Sequence, residues 1–173
     1  MTEKEFINNI ANGQEDIIQK LVDLLEENKI GYCVIGGLAV NAYVEPVVSL
    51  DLDIVVATNS INKLCQVAEK IFTIKEFEHS VNLKSSKSDL RIQVQTDSRY
   101  QAFISKAIVK NVMGYDMKVA AIEDILQGKI WAYSDQERRK SKRQKDLADI
   151  FRLVEAYPNL HDLLPDSIKS IEM

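Results

Sequence analysis

Cysteine and histidine are scarce in this chain of 173 residues, and their scarcity removes two classes of protein. Cys33 and Cys65 belong to no CxxC motif, and His79 and His161 lie far apart. Zinc needs about four such ligands close together, so no zinc site is expected. Two thiols in apolar surroundings read as buried, reduced core residues rather than as a disulfide. Long hydrophobic runs are missing too. No segment approaches the roughly 20 apolar residues that span a bilayer, and the polar start MTEKEFINNIANGQED has none of the marks of a signal peptide. The expectation is a soluble, cytoplasmic protein with no membrane partner. Repeats and low-complexity linkers are also lacking. A net charge of only −4 makes no general case for nucleic-acid binding by bulk electrostatics.

Hydrophobic residues make up 46% of the chain and charged residues 28%, enough apolar material for a real core. The length favours one domain with a helical extension. The expected division is a core with an N-terminal helix over residues 1–120, and a C-terminal helical extension over 121–173 packed on that core. Ile17, Ile18, Leu21, Leu24 and Leu25 recur at helical spacing, and Gly31 is expected to end that helix through a positive φ. YCVIGG reads as a buried strand stopping at Gly36-Gly37, LAVNAYV as a short helix broken by Pro46, and SLDLDIVVA as a second strand. INKLCQVAEKIF reads as an amphipathic helix. Residues 73–97 read as strand, polar turn and strand, and a helix is expected to start near Ser98. Two short strands are expected around Gly114. Helices over 121–133 and roughly 135–157 end at Pro158. This order predicts an α/β (α+β) fold, a mixed sheet flanked by helices with a helical C-terminal third.

The chemistry concentrates in Ser49-Leu50-Asp51-Leu52-Asp53-Ile54. On a strand, side chains two apart share a face, so Asp51 and Asp53 lie side by side while Leu50, Leu52 and Ile54 point into the core. Two adjacent carboxylates repel unless a cation lies between them, and hard oxygens on a rigid strand suit Mg²⁺ or Mn²⁺. A dozen residues upstream, Gly36 and Gly37 sit between a strand and a helix, where backbone N–H groups can approach a phosphate.

Val34-Ile35-Gly36-Gly37-Leu38-Ala39-Val40 followed by Ser49-Leu50-Asp51-Leu52-Asp53 resembles the signature of the nucleotidyltransferase superfamily that shares the DNA polymerase β fold. GGLAV and the helical end look most like the bacterial and archaeal branch containing abortive-infection nucleotidyltransferases of type IV toxin–antitoxin systems. In that branch a lysine on a later helix and a Lys-Asp-x-x-Asp helix complete the pattern. Here they resemble Lys129, in Gly128-Lys129-Ile130, and Lys145-Asp146-Leu147-Ala148-Asp149. The resemblance runs from about residue 14 to about residue 157. It implies a nucleotidyltransferase-like fold and transfer of a nucleoside monophosphate from an NTP to an acceptor, RNA (including tRNA) or protein. Asp51 and Asp53 would hold Mg²⁺ or Mn²⁺. Gly36, Gly37 and Ser49 would hold phosphates, Lys129 would be the cation on them, and Asp146 would orient a ligand or the acceptor.

The later charged residues can also be read physically. On a helix Lys129 falls near the centre of a stripe made by Ile122, Ile125, Leu126 and Tyr133. An ammonium there needs a carboxylate, a phosphate or an escape to solvent. Residues 138–145 carry six basic residues in eight, including Arg139, Lys142 and Lys145, a local concentration that can attract polyanions. A helical wheel puts Asp146 at the border of the apolar stripe, within reach of Arg139 and Lys142, and Asp149 further round toward solvent. One departure from the family is instructive. Many of its catalytic members carry a third carboxylate on the strand equivalent to Leu90–Thr96, and the polar face there offers Gln93, between Arg91 and Gln95. Asp89 and Asp97 have the right parity but stand at the strand ends. Glutamine ligates Mg²⁺ poorly, which argues against a full two-metal site. It also keeps open a second reading, a catalytically silent module that binds a nucleotide, an RNA or a protein partner.

Overall fold

Tyr32–Ile35 is buried at all four positions, which only a strand covered on both faces achieves. In the computed structural model, which describes residues 1–172, this strand is β1, near the middle of a seven-stranded mixed sheet. The helices are α1 (Glu3–Ile10), α2 (Ile17–Glu27), α3 (Gly36–Val40), α4 (Ile61–Ala68), α5 (Ile122–Ser134), α6 (Lys140–Ala156) and α7 (Asp166–Glu172). The other strands are β2 (Asp51–Val56), β3 (Thr73–Glu76), β4 (Ser80–Lys84), β5 (Arg91–Gln95), β6 (Ile108–Val112) and β7 (Tyr115–Val119). The sheet order is β3-β4-β5-β2-β1-β7-β6. β2 runs parallel to β5, β1 runs parallel to β7, and all other neighbours are antiparallel. The expected α/β architecture, a mixed sheet with flanking helices and a helical C-terminal third, is the observed one.

Alternation positions the site. Leu52 and Ile54 on β2, Ile92 and Val94 on β5, and Val81 and Leu83 on β4 are buried. Their neighbours in sequence, Asp51, Asp53, Arg91, Gln93, Asn82 and Lys84, turn to the opposite face, which is left polar and open. On the β1 side α3 packs against α5 and α6, which pack on each other, so the helical pair forms a wall beside that open face.

Several boundaries differ from expectation. The residue with positive φ after α2 is Lys29 (φ 54°), not Gly31, and Lys29 N donates to Glu26 O. The segment read as one strand from residue 73 is a hairpin, β3 and β4, and the helix expected at Ser98 is a 3₁₀ segment, Ser98–Lys106. Residues 135–139 form a turn, in which the Asp135 carboxylate accepts from Glu137 N, so α6 begins only at Lys140. Past Pro158 a 3₁₀ segment and α7 extend the fold. At the N-terminus Thr2 and Glu5 form a capping box that starts α1 in a stretch of few apolar residues. Both cysteines are free. Cys33 is buried as expected, but Cys65 is only half-buried. Among the described residues no helix is long and apolar enough to cross a membrane.

Candidate active site

β1 ends at Ile35, and Gly36 turns the chain directly into α3 with a φ of 74°, a conformation side-chain-bearing residues rarely adopt. Space demands glycine there as well. A Cβ on Gly36 would run into the Asp53 carboxylate, whose own Cβ and Cγ would lie 3.1 Å away. Asp53 pairs with Ile35 across β1 and β2, so its carboxylate is seated against the turn. Gly37 opens toward Ser49 Oγ and Asp149 Oδ2, at 4.0 and 3.8 Å from where its Cβ would stand. The Ser49 hydroxyl accepts from Asp51 N at 3.2 Å and fixes the entry to β2.

Asp51 and Asp53 share the open face, and the parallel register sets Arg91 beside Asp51 and Gln93 beside Asp53. Arg91 Nε donates to Asp51 Oδ1 at 2.6 Å. One strand further out, Asn82 lies opposite Gln93 and Lys84 opposite Arg91. These residues, with Lys142 of α6, line a cleft of about 280 Å³. Asn82 Oδ1 is buried there with no hydrogen-bond partner. Asp89 and Asp97 stay out of the cleft. Asp89 accepts from Asn12 near the N-terminal helices, and Asp97 caps the Ser98–Lys106 segment.

On the wall beside β2, Lys129 is buried, and its Nζ lies 3.2 Å from Asp146 Oδ1 and 2.9 Å from Asp149 Oδ2. Arg138 joins Asp146 through Nε at 2.7 Å and through a second nitrogen at 3.3 Å. Arg152 holds Asp149 at 2.7 Å, Asn41 Oδ1 at 3.1 Å and Glu45 O at 2.6 Å. Two expectations need correction. Asp146 is almost fully buried and pairs with Lys129 and Arg138, not with Arg139 and Lys142. Asp149 does not face solvent. It is largely buried because α5 packs over that flank of α6 and brings Lys129 to it. Arg139 and Lys145 are exposed outside this network, while Lys142 reaches the cleft. Sequence reasoning left Arg138 unassigned because only the 135–139 turn folds it back onto α6. Asn82 was missed for a similar reason. Its parity means nothing until the β3–β4 hairpin is recognised.

Burial dominates the electrostatics at Asp53 and pushes its carboxyl up to about 6. The nearby Lys129 pulls the other way, and Asp51 adds to the rise. Desolvation also opposes the charge on Lys129, but Asp149 and Asp146 outweigh it, and its pKa stays above the usual value. Arg138 behaves likewise through Asp146. The donor chemistry fits a hard divalent cation. Asp51 and Asp53 supply carboxylate oxygens on one rigid face, and it is burial, against the pull of Lys129, that holds the Asp53 carboxyl up. Among the described residues no group of three or more His, Cys, Asp or Glu comes together to hold a metal ion.

This mixed sheet, with a strand–glycine–helix turn against a strand bearing two acids, is the fold of solved nucleotidyltransferase structures. The chain superposes on ANT(2'')-Ia in complex with adenylyl-2''-tobramycin with a TM-score of 0.63 at 15% identity, covering 91% of this chain and 97% of that one. It superposes on the lincosamide antibiotic adenylyltransferase LnuA, lincomycin-bound, with a TM-score of 0.57 at 14% identity, covering 82% and 98%. An antigenic nucleotidyltransferase-like protein from Paracoccidioides brasiliensis gives 0.54 at 18% identity, covering 89% and 78%. No protein-family model and no curated protein matches the sequence.

Proposed function

We infer that this chain is a metal-dependent nucleotidyltransferase that moves a nucleoside monophosphate from an NTP to a hydroxyl of an RNA, tRNA or protein acceptor. The observation that carries the reading is the Asp51–Asp53 pair on one open face, with Asp53 seated against the left-handed Gly36. Asp51 and Asp53 would hold Mg²⁺ or Mn²⁺, which when bound neutralises charge on the phosphoryl oxygens. The turn at Gly36-Gly37, with Ser49, would offer backbone N–H groups and a hydroxyl to the β- and γ-phosphates. Lys129, fixed by Asp146 and Asp149, would add positive potential from the wall, with Arg138 beside it on Asp146. The acceptor oxygen forms a bond to the α-phosphorus as the bond to the β-phosphate oxygen breaks, and pyrophosphate leaves on the glycine side. Gln93 is no base, so the acceptor's proton passes to solvent water. The resemblance of GGLAV and Lys145-Asp146-x-x-Asp149 to the abortive-infection branch extends the proposal to a toxin–antitoxin or phage-defence system.

A second reading, a silent nucleotide- or RNA-binding module, draws on Gln93 beside Asp53 and on Arg91 paired to Asp51. One experiment separates the two. Mn²⁺ with an NTP should raise the melting temperature of the parent, by about 2.7 kcal/mol of stabilisation at a hundredfold excess over Kd. The Asp51→Asn/Asp53→Asn protein should lose that shift, and labelled NTP with total RNA should leave label on a product only with the parent. A double variant that responds to Mn²⁺ and NTP as the parent does places the site elsewhere. A parent that binds NTP but leaves no labelled product with total RNA or with total cell protein is the silent module.

A further inference from the structure

The cleft has two sides, and they differ in charge. β2 stands between β1, which carries the glycine turn, and β5, followed by β4. Strands lie about 4.8 Å apart, so Lys84 and Asn82 stand roughly 10 Å from Asp51 and Asp53, on the side away from the turn. In-line displacement puts the attacking oxygen opposite the leaving group. With pyrophosphate leaving over Gly36-Gly37, the acceptor must approach across β5 and β4. That floor holds no acid. It presents Arg91, Gln93, Asn82 and Lys84, with Lys142 above them from α6. Arg91 is two-thirds exposed and its one ion-pair partner is Asp51, while Lys84 and Lys142 have no ion-pair partner among the described residues. In a chain with a net charge of −4, three cations converge where only Asp51 and Asp53 carry opposite charge. Asn82 Oδ1, buried without a donor, adds an unsatisfied acceptor to the same floor. Three cations facing two carboxylates are the complement of a further anion, and a phosphate fits them.

We propose that the β4–β5 floor is an acceptor subsite that reads a phosphate next to the attacking hydroxyl, through Lys84, Arg91 and Lys142. The inference rests on the nucleotidyl-transfer reading and specifies its acceptor: a phosphate-bearing sugar, not a polycation or a phosphate-free protein side chain. Arg91 has a double part. In the free protein it neutralises Asp51, and an acceptor phosphate offers it a second anion and draws it off that carboxylate.

The test first fills the nucleotide site with Mn²⁺ and a non-hydrolysable NTP, and the melting shift confirms occupancy. A fluorescent 12-nucleotide single-stranded RNA is then titrated at several salt concentrations, with AMP as the small probe. The parent should bind RNA with a salt-dependent affinity. Lys84→Gln/Arg91→Gln should weaken binding at least tenfold and lower the log–log salt slope by about 1.4, two contacts at roughly 0.7 each for single strands. Its Mn²⁺–NTP melting shift should be at least as large as the parent's, because Arg91 no longer competes with the metal for Asp51. Lys84→Arg/Arg91→Lys, which keeps both charges, should restore the slope and guards against a folding defect. RNA binding alone identifies a strand as the acceptor source, and equal competition by AMP identifies a free nucleotide. If the Gln pair binds RNA with the parent's slope, the subsite is wrong and nucleotidyl transfer stands. If the parent binds neither probe although the melting shift is present, the acceptor bears no phosphate and the proposal fails alone. If the parent shows no melting shift, the transfer reading falls and takes this inference with it.

Discussion

Asp53 carries more of the site's chemistry than any other side chain, and its acid–base behaviour can be measured without substrate. Burial lifts its carboxyl from an ordinary value near 3.8 to about 6 in the folded protein. Between these values the folded state holds a proton that the unfolded chain has released, so stability falls as pH rises through that window. Above it the ionised group costs the metal-free fold about 3 kcal/mol, from a shift of roughly two units at 1.36 kcal/mol each. Asp53→Asn removes that cost. In EDTA the variant should be more stable than the parent at pH 7.5 by about 2–3 kcal/mol and equal to it below pH 4, as read by urea unfolding. A gap that does not change between pH 4 and 7.5 would show that Asp53 is solvated. A divalent cation favours the ionised carboxylate, so adding Mn²⁺ should close the gap from the parent's side.

At the scale of elements, the α5–α6 pair shows where sequence is readable and where it is not. The Lys129 position was legible, because a lysine amid Ile122, Ile125 and Leu126 must find a partner. Which partner it finds was not. A wheel drawn for α6 alone sends Asp149 toward solvent, and only the packing of α5 makes that flank an interior. The Asp51–Asp53 strand was legible for the opposite reason, since its alternation is local and needs no neighbour. Gln93 was found because the family resemblance named its strand and parity gave its face, whereas Asn82 and Lys84 stayed hidden in a hairpin that read as a single strand. The structure bears on the stability of Lys129→Met. Lys129 bridges Asp146 and Asp149 and offsets part of the charge on Asp53. Its loss should destabilise the protein by about 3 kcal/mol, the low end for breaking a buried pair, because Arg138 and Arg152 still hold their carboxylates. Thermal melting at pH 7.5 checks this. Unchanged or increased stability would mean the carboxylates do not depend on Lys129.

For the whole molecule the question is whether residues 1–120 and 121–173 are two units or one. The contacts argue for one unit. Lys106 Nζ donates to Asp124 Oδ1, Arg152 donates to Asn41 Oδ1 and Glu45 O, and Tyr157 OH donates to Tyr43 O, which ties α5 and α6 to the segments before residue 120. Beyond residue 120, Ile125, Leu126, Ile150, Leu153 and Ile168 are essentially inaccessible to solvent. Each fully buried aliphatic side chain contributes about 1.5–3 kcal/mol, so losing these exceeds much of the roughly 5–15 kcal/mol by which whole domains are stable. Removing α5 would also take Lys129 from Asp53 and leave a desolvated carboxylate without its nearby cation. The full chain should therefore unfold in a single transition, with circular dichroism and tryptophan fluorescence coincident. Trp131, the one tryptophan, lies in α5 and reports on the helical part, while the far-ultraviolet signal covers the whole. A fragment of residues 1–120 should show no cooperative melt and should be digested by protease under conditions in which the full chain resists. A fragment that melts cooperatively would mean that the helical third is a separate extension. The potential that Lys129 and Arg138 supply to the cleft could then be altered by displacing the helices without unfolding the sheet.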